Sequence, residues 1–142
     1  MENLKPEKPL NEYDLIDMRT EVTNSIREVD ALITQSNSPE EISQLNIKKD
    51  ELFIQRGDIA LDMKELLMKE SMHLNSVPVN YNIGEINQTL PEIDRMLEEN
   101  PDNEPLLHRR SSLEDARIEL KRKSFEIANE QERSLNDRGM AD

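Results

Sequence analysis

The run Glu70-Ser71-Met72-His73 comes closest in this sequence to a set of residues that could do chemistry. Glu-x-x-His on a bundle helix is the ligand unit of di-iron carboxylate proteins, because a three-residue step puts both groups on one helix face. A complete centre needs a second such unit and two further inward glutamates. The other histidine, His108, has Glu104 four residues upstream across Pro105, so half the ligand set is missing. His73 therefore reads as an ordinary residue at the end of a heptad row, and no metal or other cofactor is expected. Zero cysteines exclude disulfides, thiolate metal sites and cysteine nucleophiles. Three glycines supply neither a phosphate-cradling loop nor a Gly-x-Ser-x-Gly elbow, so no catalytic residue is assigned. The chain is expected to be neither an enzyme nor the receptor of a small-molecule substrate.

Charge narrows the partners further. The net charge is −13, and residues 1–104 carry 10 basic against 23 acidic side chains. Residues 105–125 reverse the sign, with 6 basic against 3 acidic, before residues 126–142 return to 2 against 5. The basic window comprises His108, Arg109, Arg110, Arg117, Lys121, Arg122 and Lys123. It lacks the interleaved aromatics of a nucleic-acid surface and sits in an acidic whole that repels phosphate backbones and anionic membranes. Its basic groups are expected to pair with acidic neighbours, in this chain or in another copy. The acidic remainder admits mimicry of DNA, which would need carboxylates in two phosphate-like rows. Interruptions such as Lys48-Lys49-Asp50-Glu51 dilute that pattern.

The elements that must position these residues are helices. Leu, Ile, Val and Phe number 35 of the 142 residues, above the level of a disordered chain, while aromatics make up only 3%. The core must then be built from aliphatic seams between helices. Leu15, Met18, Val22, Ile26, Val29 and Ile33 recur at steps of 3 and 4, predicting a helix from about residue 11, with Asn11 as N-cap, to residue 35. Ser38-Pro39-Glu40-Glu41 is a capping box opening a second helix that runs to about Leu74, along the seven-residue row Leu45, Leu52, Ile59, Leu66. Residues 76–82, with Pro78 and β-branched neighbours, read as an extended linker. A third helix follows from Ile83, with Thr89-Leu90-Pro91-Glu92 as a second capping box that would set Ile83–Gln88 apart as a separate turn. After the break at Asn100–Pro105, Leu106, Leu113, Leu120 and Ile127 form the row of a fourth helix. The turn from Met96 to Leu107 resembles the helix–helix turns of tetratricopeptide-like and coiled-coil adaptor proteins, over that one hairpin.

The expected fold is all-α: two antiparallel helical hairpins, coiled-coil-like, joined by an extended linker, as an elongated molecule or a bundle. The boundaries are an extended arm at 1–10, hairpin 11–75, linker 76–82, hairpin 83–135 and a flexible tail at 136–142. Glu28-Val29-Asp30 and Glu92-Ile93-Asp94 lie 64 residues apart, each before a break and a longer helix, which hints at an internal repeat. No stretch approaches 18 apolar residues and no apolar leader opens the chain, so the expected setting is the cytoplasm or the inside of a viral particle. The first helix offers an apolar stripe of about 25 residues against about 37 on the second, leaving some 15–20 Å of seam without cover from the first helix, with cover by the third as the intramolecular alternative. Ile59, Met63, Leu66 and Leu67 lie in that excess and are the expected partner-binding residues, together with Arg109, Arg110, Arg117 and Lys121. The expected function is non-enzymatic: a structural, assembly or adaptor protein working through protein partners or self-association, of a kind that suits a viral accessory or scaffolding component. The alternative is an acidic inhibitor that mimics DNA.

Overall fold

The structure, a computed structural model, describes residues 11–69 and 76–140, with side chains as far as residue 133. Among these residues the chain forms α1 (Glu12–Gln35), α2 (Pro39–Lys69), α3 (Val77–Glu99) and α4 (Glu104–Met140), with no strand. The proposed arm at 1–10 and the Glu70/His73 pair lie outside the described residues. No helix among the described residues is long and apolar enough to cross a membrane.

Short polar side chains start three of the helices by accepting backbone N–H groups that the first turn leaves unpaired. Asn11 Oδ1 accepts from Asp14 N at 2.8 Å, and the Asp14 carboxylate accepts from Asn11 N in return. Ser38 Oγ accepts from Glu41 N at 3.3 Å ahead of Pro39, and Asn103 Oδ1 accepts from Leu106 N at 3.2 Å. The breaks at residues 36–38 and 100–103 are therefore sharp, and each folds one helix back on its predecessor.

Polar pairs give the directions of the helices. Asp30 to Lys49 (2.7 Å) joins α1 to α2. Arg56 to Glu85 and Asp50 to Arg95 run in opposite senses along α2 and α3, so these two are antiparallel. On α3 and α4, Asn80 meets Ser124, Asn87 meets Arg117 and Asp94 meets Arg110, an antiparallel ladder with a seven-residue step. Asp58–Arg109 and Lys64–Glu119 run the same way along α2 and α4. The helix α2 thus packs against all three others, while the backbone of α1 approaches that of α2 alone among the described elements. The four helices share one core, which includes Leu15, Ile26, Ile59, Met63, Ile86, Ile93, Leu113 and Leu120.

Two expectations about α3 are corrected. Residues 77–82 are not an extended linker but the opening turns of α3, where Pro78 sits at a first-turn position that needs no N–H. The helix also runs without a break through Pro91. The proline ring faces solvent, and Ile86, Leu90, Ile93 and Met96 are buried on either side of it, so packing outweighs a helix-interior cost of about 3 kcal/mol. Thr89 does not cap Glu92; its hydroxyl donates back to Glu85 O at 2.8 Å. At the far end, the backbone from 136 to 140 is helical rather than a loose tail.

A polar layer crosses the α2–α3 contact. Arg56 donates through Nε and Nη2 to both oxygens of Glu85, each at 2.8 Å, and through Nη2 to Gln88 Oε1 at 2.6 Å. These side chains are only 10% and 6% exposed for Arg56 and Glu85, and the hydrogen bonds that Arg56 donates to Glu85 hold its guanidinium above its ordinary pKa against the pull of burial. Asn82 is fully buried and donates Nδ2 to Ala60 O at 3.0 Å, while its Oδ1 has no partner among the described residues. Gly57 lets α2 come this close: a Cβ there would stand 3.2 Å from Thr89 Cγ2 and 3.4 Å from Leu113 Cδ1.

Both neighbours of Gly57 are held in place, Thr89 by the hydrogen bond of its hydroxyl and Leu113 by complete enclosure. Gly57→Ala should therefore fail to deliver the gain of about 1 kcal/mol that helix propensity would give. Thr89→Ser, which removes the opposing methyl, should make the double variant more stable than the two single changes sum to. Urea unfolding of the four proteins measures this. A Gly57→Ala chain that gains the full propensity term would show that the approach is not tight.

Candidate functional site

The seam expected to lack cover is covered. Ile59, Met63 and Leu67 are buried in the intrachain core, and Leu66 is half-buried against it. The length comparison measured α2 against α1 and left cover by α3 as the alternative; α3 and α4 both pack on α2. These four residues are therefore in or against the core of the single chain.

The basic window divides in two. Arg109 donates Nε to Asp58 at 3.0 Å, Arg110 pairs with Asp94 and Glu114, and Arg117 donates to Asn87 Oδ1 at 3.1 Å. The hydrogen bond that Arg110 donates to Asp94 raises the Arg110 pKa above its ordinary value. These three arginines serve the contacts of α4 with α2 and α3. Lys121 and Arg122 are exposed and make no ion pair among the described residues.

Beside them lies a feature that the sequence reading missed. Leu107, Ile118 and Phe125 are 45%, 55% and 68% exposed. Steps of eleven and seven residues bring them within about 20° of one another around the helix. The row Leu106, Leu113, Leu120, Ile127 is buried on the far side of α4. Helix α4 therefore turns one apolar row inward against α2 and α3 and carries three exposed apolar side chains, spaced among polar ones, on the face turned out. The signal is present in the sequence as a second set of apolar positions out of phase with the first, but the stronger leucine row hides it.

A second charged feature lies on the outer edge of α2. Asp58, Asp62 and Glu65 share one side of the helix, and the Asp62 carboxyl has its pKa raised by partial burial and by the neighbouring charges of Asp58 and Glu65. Lys64 crosses to Glu119 at 2.7 Å, which raises its own pKa, and closes the shallow groove between α2 and α4. Among the described residues no group of three or more His, Asp or Glu side chains is placed to hold a metal ion. A smaller groove of about 180 Å³ lies between α1 and α3, lined by Ile16, Arg19, Met63, Pro78 and Tyr81. Over it the Arg19 guanidinium stacks 4.2 Å from the centre of the Tyr81 ring.

Two outcomes follow from these placements. Leu66→Asp with Leu67→Asp should abolish cooperative unfolding and most helicity at low concentration, since it puts a charge into the core without a partner; retained helicity in circular dichroism would show that this seam is dispensable. For Asp62, the ionised form is the penalised one. That penalty is complete above its raised folded pKa, eases as pH falls through that value, and is gone below the ordinary 3.8. Asp62→Asn should therefore raise Tm modestly at about pH 7 and leave it unchanged at about pH 3; thermal melts showing the opposite order would contradict the assignment.

No protein-family model, curated protein or solved structure matches this chain.

Proposed function

We propose that this chain is a non-enzymatic assembly or adaptor protein that works through protein–protein contacts, and that the outer face of α4 is the surface it uses. The observation that supports this is the alignment of Leu107, Ile118 and Phe125 on the helix face turned away from the core. Large apolar side chains gathered on one exposed face cost solvation that a partner would relieve, at about 25 cal/mol per Å² covered. Lys121 and Arg122 on the same face supply a polar border.

A second reading rests on the acidic edge of α2. There partial burial, and after it the charges of Asp58 and Glu65, raise the Asp62 pKa, and the three carboxylates follow one another along the helix as a phosphate row would. It ranks second because Arg109 already neutralises Asp58 from within the chain.

The test is recovery of bound protein by the tagged full chain and by its Ile118→Glu, Phe125→Glu variant. The variant should keep its helicity and lose the partner. Recovery that is unaffected by this variant but displaced by duplex DNA would favour mimicry instead.

A further inference from the structure

Resting on that reading, we propose that the outer face of α4 pairs with the same face of a second copy, antiparallel, about a two-fold axis close to residue 116. The face is a regular seam. Leu107, Ser111, Glu114, Ile118, Lys121 and Phe125 follow one another at steps of 4, 3, 4, 3 and 4, the spacing with which two helices interlock. The buried row of α4 faces the opposite way, so α2 and α3 stand behind the seam and do not obstruct it.

The order of residues along the seam selects both orientation and partner. Leu107 and Phe125 lie nine positions on either side of residue 116, Ser111 and Lys121 five, Glu114 and Ile118 two. An antiparallel copy centred there sets Leu107 against the Phe125 of its mate at both ends of the contact. In the middle it lays Ile118 along the aliphatic stem of Glu114 from the other chain. It also brings each Glu114, which Arg110 of its own chain already contacts through one oxygen, within one helical turn of Lys121 and Arg122 of the second copy, two cations without an ion pair among the described residues. A parallel pair would match Leu107, Ile118 and Phe125 with their own copies but place Glu114 on Glu114 and Lys121 on Lys121, so the charges are what favour the antiparallel arrangement. Antiparallel pairing is isologous, each chain giving and receiving the same contacts, which closes the assembly at two.

The contact from Leu107 to Phe125 is about 27 Å long and carries three large apolar side chains from each copy. An interface of that size belongs with the smaller specific ones, so the expected Kd is on the order of micromolar.

Sedimentation equilibrium of the full chain, up to about 100 µM, should show a reversible monomer–dimer equilibrium. A monomer at every concentration overturns the proposal. Ile118→Glu with Phe125→Glu should give a monomer with the parental circular dichroism; a dimer that survives these changes overturns it. Glu114→Lys should weaken the dimer about tenfold or more, and adding Lys121→Glu and Arg122→Glu in the same chain should restore it; no restoration refutes the charge pairing. Because the chain has no cysteine, introduced thiols report register without background. Leu107→Cys mixed with Phe125→Cys should form a mixed disulfide on oxidation, while neither links to itself, like positions being about 27 Å apart. Self-linking by either single variant excludes the antiparallel arrangement. A chain that stays monomeric yet loses a recovered protein on Ile118→Glu, Phe125→Glu refutes self-pairing alone, and the wider reading of α4 as a contact surface stands or falls on that recovery.

Discussion

Arg56 and Glu85 meet across the α2–α3 contact with both carboxylate oxygens engaged and Gln88 taking a further guanidinium proton. The core around them is aliphatic and nearly free of aromatics, and such a core packs well in more than one register. A buried pair of this kind adds little net stability against an apolar alternative, yet leaving one partner alone costs about 3–5 kcal/mol. Any slip between α2 and α3 would have that consequence. Asn82 reinforces the choice by donating to Ala60 O, with an unpaired Oδ1 that itself costs about 1–3 kcal/mol. Register is thus fixed by penalties on the wrong alignments as much as by attraction in the right one.

With α2 and α3 aligned, the rest is constrained. The close approach at Gly57 brings Thr89 and Leu113 onto the same spot, so one backbone position touches both members of the second hairpin. The α3–α4 ladder at Asn80, Asn87 and Asp94 then follows with a seven-residue repeat. The similar tripeptides at Glu28 and Glu92 occupy equivalent places. Val29 and Ile93 are both buried, and Asp30 and Asp94 both reach the following helix, one to Lys49 and the other to Arg110.

What the sequence made legible is what depends on local physics. The caps at Asn11 and Ser38, the break after Asn100 and the four apolar rows all rest on neighbours within a few residues, and all four helices lie close to where the rows placed them. Its failures share one cause. Pro78 and Pro91 looked like breaks because their tolerance depends on whether a helix turn is first or solvent-facing, which only packing decides. Ile59, Met63, Leu66 and Leu67 looked exposed because periodicity shows that a face is apolar but not what covers it. The arginines of the basic window were expected to meet acidic neighbours, but that these are Asp58 and Asp94 requires knowing which helices are adjacent. The outer face of α4 went unseen for the complementary reason: Ile118 and Phe125 are too few to compete with a leucine row, and only the packed helices show that they point away from the core.

The stacking of Arg19 on Tyr81 has an optical consequence. There is no tryptophan, and the two tyrosines, Tyr13 and Tyr81, are the chain's ultraviolet-emitting side chains. Both are exposed, so neither ring watches the core directly. Tyr81 instead watches the gap between α1 and α3, where a guanidinium lies against its face. Separation of α1 from the other three helices would change the surroundings of that ring while Leu113 and Leu120 stay enclosed. Tyrosine emission and far-ultraviolet ellipticity therefore monitor different events, and a divergence between them on heating would register the first helix leaving before the others melt.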